Sequence, residues 1–564
     1  MWQRRAGAVV LFAFCLCNPF SNGFLARNRH SLPSLRSTVG TQLHLFGRRT
    51  KDKESTGPTE GQEDAIKPAI TVTNTQPEHF VQYGRNFRRG PFKQADIVIV
   101  GGGVSGLAAS ITAAKSTKGK KIVLLEANSK LGGRVQSVAT DDGFVLDEGF
   151  AVFIDQYPEV RKLVDFDALK LKPFLPGALV KLKNRNGLAR VADPLRNPKD
   201  TIPSVLAPVG TLLDKIEVLP LILNVRSKSV EELFEEREAD TMTALTDRWG
   251  FSDDFISKFL KPFLEGIYLA PLDQQSSRMF SFVFKMFSEG SATLPAGGMK
   301  AVSDQLVAKA ESLGVEILTE SPVTGIVEED GGSFIVECAK DRHRYETSTL
   351  VVATDGVIAQ KLISNIQGFE SLEDLPEQPQ LSVGCLYYSF KGDPPVDDPI
   401  LILNGMGAES GNEKNPVNNV CFPSVVNEGY APAGYSLCSV TVLGEAMKLY
   451  VDRPQDLDKA VRSQLATWFQ DQADDINNKW ELKKIFYIPK AQPSQYKGPF
   501  PASVNGGRPS NQYRGKDLPR GLFVCGDHMA TATLNGAVES GVAAGIAAAS
   551  AANAPKKRTE KVSA

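Results

Sequence analysis

The sequence predicts an α/β fold in which a parallel-sheet domain is assembled from separated segments and a second lobe of α+β character is interleaved between them. Two observations predict it. A β-branched run at 94–100 leads directly into a glycine-rich turn, and a strand-like run at 521–527 leads into an Ala/Gly-rich helix. Both have the order of elements that builds parallel sheets. The 564 residues, 42% of them hydrophobic, suffice for both domains and a deep site.

The composition argues against nucleic-acid and metal-binding roles. The formal net charge is -1, so no global field attracts nucleic acid or an anionic surface. The 7 cysteines show neither CxxC nor His-rich spacing, which argues for buried thiols and against a zinc site or a disulfide framework. We therefore expect no nucleic-acid partner and no metal, and we expect specificity to come from a pocket.

The N-terminal region has the composition of targeting and linker segments. Residues 1–23 hold an arginine pair, a short apolar run and small polar residues, which is the layout of a signal peptide. Residues 24–51 are basic, contain Ser and Thr and lack acidic residues, which is typical of a transit peptide. Together they predict import into a plastid that lies inside the secretory system, and plain entry into the secretory pathway is the alternative. Residues 52–93 are polar and contain prolines, so they are predicted to be a disordered linker.

The first motif is a GxGxxG turn formed by Gly101, Gly103 and Gly106. The first glycine permits the tight turn, the second lets the backbone approach a pyrophosphate, and the third lets the following helix pack on the strand. The N-terminus of that helix then faces the phosphates. A second strand ends at Glu126, about 20 residues beyond the last glycine, where a carboxylate would hold ribose hydroxyls. This order of elements predicts a Rossmann-like, dinucleotide-binding domain.

The segment after the second strand distinguishes FAD from NAD, and a third segment of the site lies near the C-terminus. After the second strand, Gly132 and Gly133 bring the backbone close to the diphosphate, and Arg134 offers it a positive charge. Near the C-terminus, Asp527 ends a strand, where its carboxylate is placed to accept hydrogen bonds from the ribityl hydroxyls. Three separated segments therefore converge on one long ligand, and FAD is the cofactor that they predict.

With these residues, the chain resembles the flavin-containing amine oxidase and phytoene desaturase superfamily over roughly residues 94–550. A further match is the turn formed by Pro295, Gly297 and Gly298, which in the family starts a helix beside the cofactor. The resemblance implies that Val323 lies against the adenine end of FAD through its backbone. It also implies alternating domain parts: FAD-binding at 94–156, 291–356 and 515–550, substrate-binding at 157–290 (mainly helical) and 357–514, and a disordered tail at 551–564.

The departures from the family bear on the cofactor linkage and on the substrate. No cysteine lies strictly between positions 438 and 525, so the resemblance implies non-covalent FAD. Amine oxidases of this superfamily place a lysine on a strand whose matching position here falls near Gly384. One of their aromatic residues is replaced here by Thr533 or Leu534. Amine specificity is therefore not expected.

No catalytic acid or base is assigned from the sequence. Lys300 and Lys285 could enter the site if the alignment slips, although an exposed helix charge is the favoured interpretation of each. His528, beside Asp527, is a candidate proton handler by its position, and a hydrogen-bonded structural histidine is the favoured interpretation. The sequence therefore leaves the catalytic residues unknown.

Two apolar stretches shape the expectation for the substrate lobe. Residues 203–225 are strongly apolar but interrupted by charges, which argues against a membrane span. Peripheral membrane contact and a core helix pair are the two interpretations, and the core pair is favoured. Four phenylalanines could line an apolar channel or belong to the core: Phe280, Phe282, Phe284 and Phe287.

We expect an FAD-dependent oxidoreductase, either an oxidase or a desaturase, that takes hydride from a small apolar substrate such as a carotenoid or another isoprenoid. The chain shows no second dinucleotide fingerprint, so oxygen or a quinone is the expected electron acceptor. Two alternatives remain open. One is an amine or protoporphyrinogen oxidase on the same fold, and the other is a non-catalytic, escort-type relative, which would be expected to have degraded nucleotide motifs.

Overall fold

The computed structural model describes residues 69–73, 92–193, 196–339, 343–496, 501–504 and 507–555. The predicted signal peptide and transit-like segment lie outside these residues, as does most of the predicted linker and most of the predicted tail. The strands are β1 (Ile70–Val72), β2 (Phe92–Gln94), β3 (Ile97–Val100), β4 (Ile122–Leu125), β5 (Ser137–Ala139), β6 (Val145–Asp147), β7 (Phe153–Ile154), β8 (Lys172–Pro173), β9 (Gly177–Leu182), β10 (Leu188–Ala192), β11 (Ala292–Leu294), β12 (Glu316–Leu318), β13 (Val323–Glu328), β14 (Phe334–Cys338), β15 (Arg344–Thr347), β16 (Leu350–Val352), β17 (Gln380–Lys391), β18 (Leu401–Gly405), β19 (Val417–Cys421), β20 (Tyr435–Leu443), β21 (Glu481–Pro493), β22 (Gln512–Tyr513), β23 (Lys516–Asp517) and β24 (Leu522–Val524).

The helices alternate with these strands. The α-helices are α1 (Val104–Ser116), α2 (Pro158–Leu163), α3 (Phe166–Leu169), α4 (Thr201–Leu206), α5 (Leu212–Ser227), α6 (Val230–Glu235), α7 (Thr241–Thr243), α8 (Asp253–Phe255), α9 (Lys261–Tyr268), α10 (Ser277–Glu289), α11 (Lys300–Ser312), α12 (Gly356–Ser364), α13 (Pro423–Val426), α14 (Gly444–Lys448), α15 (Pro454–Trp468), α16 (Ala473–Asn478) and α17 (Leu534–Asn553). Two π-helical turns follow α7 and α8, at Ala244–Arg248 and Ile256–Leu260. Short 3-10 turns lie at Pro198–Asp200, Leu272–Gln274, Glu370–Leu372, Gly407–Glu409, Glu428–Tyr430, Gln470–Gln472 and Asp527–Met529.

A five-stranded parallel sheet confirms the predicted Rossmann-like domain. Its strand order is β12-β4-β3-β16-β24, and every neighbouring pair is parallel. The strands come from the N-terminal, middle and C-terminal parts of the chain, as the separated motifs predict. All residues of β3 and β4 are buried, which explains their continuous apolar sequences.

The C-terminal helix α17 packs tightly on α1, the helix that follows the glycine-rich turn. A Cβ at Gly541 would lie 2.3 Å from the carbonyl oxygen of Ser105, and one at Gly545 would lie 2.6 Å from that of Ala109. No side chain fits at these distances, so glycine is required for the close approach of the two backbones. The contact joins the C-terminal segment to the first motif.

The second lobe is built on an eight-stranded mixed sheet in the order β1-β21-β17-β20-β19-β18-β9-β10. The long strands β17 and β21 pair antiparallel along most of their length. On one face, Leu386, Tyr388 and Val440 belong to a core cluster that includes apolar residues of α15. On the other face, Val383 and Ile488 line the large cavity described below. The two-residue alternation of strands therefore separates core residues from cavity residues.

The structure corrects one sequence-based boundary and adds a hairpin to one of the predicted domain parts. The predicted linker at 52–93 contains β1, which pairs in parallel with β21, and the beginning of β2. The short β-branched run of β1 pairs with the free edge of β21, and the local sequence does not reveal that this edge is available. The predicted helical part at 157–290 also contributes strands, because β9 and β10 form a hairpin that joins the eight-stranded sheet.

An apolar surface covers α4 and α5, in the stretch 203–225 for which the sequence favours a core helix pair. That interpretation is only half correct. Buried Leu221, Ile222 and Val225 lie on one side of α5, which packs on α10. The other side is exposed, as are parts of α4, and we call this the α4–α5 apolar face: Ile202, Val205, Leu206, Leu212, Leu213, Ile216 and Leu223. Along the described part of the chain, no helix is both long and apolar enough to span a membrane.

Candidate functional site

A cavity of about 430 Å³ is lined by both the parallel-sheet domain and the eight-stranded sheet. Its first end is formed by the glycine-rich turn and by the ends of the parallel strands. Its middle is formed by the Gly132–Arg134 segment and the turn after β24, and its inner end lies against the substrate lobe. The predicted residues Gly101, Gly103, Glu126, Gly133, Arg134, Val323 and Asp527 all line this single cavity.

The glycines of the first motif have separable roles. Gly101 has φ +110, and a Cβ there would lie 2.6 Å from the carbonyl oxygen of Ala353, so the turn requires glycine. A Cβ at Gly106 would lie 1.9 Å from the carbonyl oxygen of Gly101, which fits the predicted packing role. In contrast, a Cβ at Gly103 would meet only the Cα of Gly133, at 3.9 Å, among protein atoms. Gly103 and Gly133 therefore leave a cradle of bare backbone facing the cavity.

Glu126 lies at the end of β4, where the strand delivers its side chain to the first end of the cavity. One carboxylate oxygen accepts a hydrogen bond of 2.6 Å from the Gly102 N–H, and the other accepts one of 2.8 Å from the Asn128 N–H. These bonds fix the carboxylate beside the glycine-rich turn. Val323, the first residue of β13, lines the same end and is buried.

Arg134 and Asp527 meet in the middle of the cavity. Nη1 of Arg134 lies 2.8 Å from Oδ2 of Asp527 and also donates to the carbonyl oxygen of Ala491. Burial alone would lower the pKa of Arg134, but the Asp527 carboxylate outweighs that effect and the pKa rises. The sequence assigned the charge of Arg134 to a diphosphate and Asp527 to ribityl hydroxyls. In the structure these two side chains form an ion pair, so that the charge of each neutralises the charge of the other.

His528 does not line the cavity, and the favoured interpretation of a hydrogen-bonded histidine is wrong. Its side chain is buried, and both ring nitrogens lack a hydrogen-bond partner among the described residues. Burial lowers its pKa to about 4, although Asp527 and Asp355 act in the opposite direction. His528 is therefore neutral at physiological pH and is not placed to exchange protons with a ligand in the cavity.

The inner end of the cavity is largely apolar. Most of its wall consists of aliphatic and aromatic side chains: Val152, Ile154, Val283, Phe287, Val383 and Ile488. Of the four phenylalanines that could form a channel, Phe287 lines the cavity, whereas Phe280 and Phe282 are fully buried in the core. The polar side chains at this end are uncharged and were not identified from the sequence: Tyr157, Tyr268, Thr441 and Gln492.

No lysine, histidine or cysteine lines this cavity in the described part of the chain. Nζ of Lys285 donates to the carbonyl oxygen of Val225 and pairs with Glu289 at 2.5 Å, so it points away from the cavity. Lys300 pairs with Asp304 on the surface of α11. On β17 the cavity residue is Val383, while a Cβ at the neighbouring Gly384 would lie 2.5 Å from the Sδ of Met447. Neither of these two strand positions presents a lysine.

The residues present fit FAD. The Gly103–Gly133 cradle offers bare backbone and the N-terminus of α1 to a diphosphate, and Glu126 is fixed where a ribose would lie. The cavity then continues past Arg134 and Asp527 to the apolar inner end. The described cysteines are all buried and none lines the cavity, which agrees with a cofactor held without a covalent cysteine link.

Comparisons with known proteins give one family. The family model described as "Flavin containing amine oxidoreductase" matches residues 104–552. Coproporphyrinogen III oxidase of Bacillus subtilis (strain 168) is 28% identical over 202 residues, which cover 32% of this chain and 38% of that protein. The 15-cis-phytoene desaturase, chloroplastic/chromoplastic, of Solanum lycopersicum is 38% identical over 73 residues, 13% of this chain and 12% of that protein.

Solved structures give the same architecture. The crystal structure of a protein provisionally assigned as a protoporphyrinogen oxidase, from Exiguobacterium sp. 255-15, superposes with a TM-score of 0.58 at 18% identity. The match covers 80% of this chain and 98% of that one. At this identity the likeness shows the fold alone. The chain matches 38% or less of the length of the two curated relatives named above.

Proposed function

Because the chain belongs to the flavin-containing amine oxidoreductase family, we propose that it is an oxidase or desaturase that takes hydride from an apolar organic substrate, such as a carotenoid or another isoprenoid. Membership of this family makes it an FAD-dependent enzyme and sets aside the non-catalytic escort. The observation that carries the proposal is the inner end of the cavity, where the wall is apolar and no charged side chain stands among the described residues. Such a wall favours burial of hydrocarbon over burial of a cation.

The chain's own residues bind, orient and exclude water. Bound FAD supplies a two-electron acceptor for the hydride of a substrate C–H bond, while a proton is released as the substrate becomes unsaturated. Gly103, Gly133 and Glu126 hold the nucleotide end, and the Arg134–Asp527 pair fixes the middle. The apolar inner end removes water from the reacting carbon and holds it in position, which is the main contribution that the protein can make.

We propose oxygen or a quinone as the final electron acceptor. The support is the single glycine-rich fingerprint, since a nicotinamide cofactor would need a second dinucleotide site of its own. Reoxidation by oxygen would yield hydrogen peroxide, and reoxidation by a quinone would yield the quinol. Measuring hydrogen peroxide during turnover distinguishes oxygen from a quinone as the acceptor.

Oxidation of a porphyrinogen is the second candidate, since one relative is a coproporphyrinogen III oxidase. Porphyrinogens carry carboxylate side chains, which bind best to free cations. The only cation lining the cavity in the described residues is Arg134, and it is neutralised by Asp527. The cavity is therefore better matched to an uncharged substrate. An amine substrate is disfavoured for a related reason, since the inner end offers no carboxylate to pair with a buried ammonium group.

Two further proposals concern where the enzyme works. We propose that residues 1–51 direct it to a plastid, on the basis of their signal-like and transit-like composition. Fusing these residues to a fluorescent protein in an alga with a secretory-system plastid tests this. We also propose peripheral contact with a membrane through the α4–α5 apolar face, where basic Lys199 and Arg226 are exposed on the flanking segments.

The experiment that tests the catalytic proposal is an absorbance spectrum of the purified chain before and after acid precipitation, followed by anaerobic addition of candidate substrates. We expect yellow flavin in the supernatant and bleaching by isoprenoids, with no bleaching by simple amines or porphyrinogens. Bleaching by an amine or a porphyrinogen, with none by isoprenoids, would contradict the apolar substrate.

A further inference from the structure

Thr441 belongs to the wall of the cavity at its inner end, and its buried hydroxyl has no hydrogen-bond partner among the described residues. The residue lies on β20, is 2% exposed and lines the cavity. Its Oγ1 makes no hydrogen bond to any described residue. A buried hydroxyl without a partner costs free energy, so its presence beside a cavity indicates that a ligand completes its hydrogen bonding. Val383 on the neighbouring strand β17 and Ile488 on the next strand, β21, are apolar and cannot do so.

Tyr157 adds a second polar group at the same end. It immediately precedes α2, is buried and lines the cavity, and burial is the one cause that raises the pKa of its hydroxyl. The neighbouring polar groups are already engaged. The hydroxyl of Tyr268 donates to the carbonyl oxygen of Met279 at 2.8 Å, and the amide of Gln492 donates to that of Ile267 at 3.1 Å. Thr441 and Tyr157 are therefore the groups left for a ligand.

Charge selects among the chemical groups that could meet these hydroxyls. Five charged side chains of the described residues line the cavity: Glu126, Arg134, Glu148, Asp355 and Asp527. None comes from β17, β20 or β21, the strands that carry Thr441 and its neighbours. A substrate ammonium or carboxylate would be desolvated there without a countercharge, at high cost. A pure hydrocarbon would leave the hydroxyls unsatisfied.

We infer that the substrate carries a neutral oxygen function, a hydroxyl or a carbonyl, which hydrogen-bonds to Thr441, with Tyr157 as the second contact. This inference rests on the proposed function and narrows its substrate class from apolar molecules in general to oxygenated ones. A threonine hydroxyl donates to a carbonyl, and with a substrate hydroxyl it can donate or accept. Thr441 is a specificity residue in this scheme and takes no part in hydride transfer.

The test compares Thr441→Val with a matched control, Thr349→Val. Thr349 also has a buried Oγ1 without a partner, but it does not line the cavity. Geranylgeraniol, geranylgeranial and the matching C20 hydrocarbon are added anaerobically to the flavin-loaded proteins. Binding is followed by perturbation of the flavin spectrum, and reaction is followed by bleaching. Flavin content is measured for each variant.

In the wild type we expect the alcohol or the aldehyde to bind about tenfold or more tightly than the hydrocarbon. Thr441→Val should remove about tenfold of this preference and leave hydrocarbon binding and flavin content unchanged, and Thr349→Val should keep the preference. Equal binding of all three probes to the wild type would overturn the inference alone. A loss of flavin in Thr441→Val would also overturn the inference, since it would show that the hydroxyl contributes to binding of the cofactor. Flavin-loaded protein that responds to none of the probes would overturn both the inference and the proposed function.

Discussion

Nη1 of Arg134 lies 2.8 Å from Oδ2 of Asp527, and this ion pair joins the segment after β4 to the turn after β24. Both side chains also line the middle of the cofactor cavity. The pair thus connects distant parts of the chain at the point where one long ligand must be held by both.

Asp527→Asn should weaken both folding and flavin binding. The change leaves the charge of Arg134 without its carboxylate, and we expect a loss of about 2 kcal/mol in the free energy of unfolding, since Arg134 is partly exposed. Flavin content of the purified protein should fall severalfold. The matched control is Asp458→Asn, which breaks a comparable pair with Arg462 on α15, away from the cavity. A similar loss of flavin in both variants would contradict a specific role for Asp527.

Gly103→Ala should separate cofactor binding from stability. The backbone at Gly103 has φ -71, which alanine adopts without strain, and its Cβ would meet no protein atom closer than 3.9 Å. We expect the melting temperature of the flavin-free protein to stay within a few degrees of the wild type, while flavin affinity falls about tenfold or more as the methyl group fills the cradle.

The contrasting variant is Gly106→Ala. Its Cβ would lie 1.9 Å from the carbonyl oxygen of Gly101, so the flavin-free protein itself should lose about 2 kcal/mol or more. Thermal unfolding of the two flavin-free variants checks both expectations. Equal destabilisation by the two substitutions would show that Gly103 also has a packing role.

His528 should make the protein sensitive to acid. Its folded pKa of about 4 lies below the ordinary value of 6.5, because burial disfavours the charged form. The neutral ring is therefore compatible with the fold above pH 6.5. Stability should fall as the pH drops from 6.5 towards 4, by roughly 3 kcal/mol in all. His528→Asn should show a shallower loss over this range. Parallel curves of melting temperature against pH would exclude His528 as the cause.

The α4–α5 apolar face should bind lipid vesicles. Leu206 is 76% and Leu213 is 64% exposed, so replacing both by serine should leave folding and flavin content unchanged. Each leucine contributes roughly 1.5 kcal/mol or more when buried in an apolar phase, so vesicle binding should fall about tenfold or more. Leu449→Ser, at an exposed leucine elsewhere on the surface, is the control. Sedimentation with vesicles containing anionic lipid measures the binding, and equal binding by all variants would contradict the proposed contact.

The nucleotide end of the site could be predicted from the sequence because its signals are local. The spacing of Gly101, Gly103 and Gly106 fixes a turn and a helix within one βα unit, and Glu126 follows at the end of the next strand. These contacts depend on few residues. Arg134 and Asp527 were each assigned to the cofactor, but their mutual ion pair depends on how distant segments are folded together.

The inner end could not be predicted because it depends on strand register. Thr441 lies opposite Cys385 of β17, and Val383 lies opposite Ile488 of β21. Alternation along β20 places Thr441 on one of two faces, but the sequence does not say which face meets the cavity. The exposed face of α5 was missed for a similar reason, since an apolar helix looks the same whether its outer side is covered or open.

The pairing of β1 with β21 sets a limit on where the chain can be shortened. Residue Thr73, directly after β1, lines the cavity and donates its N–H to the carbonyl oxygen of Tyr487. A protein that begins at residue 90 would lose this strand and expose the hydrogen-bonding groups of Ile485–Tyr487 along the sheet edge. The exposed edge of β21 can then pair with the β21 edge of another copy of the chain. A shortened protein that keeps this sheet edge paired therefore has to begin upstream of Ile70.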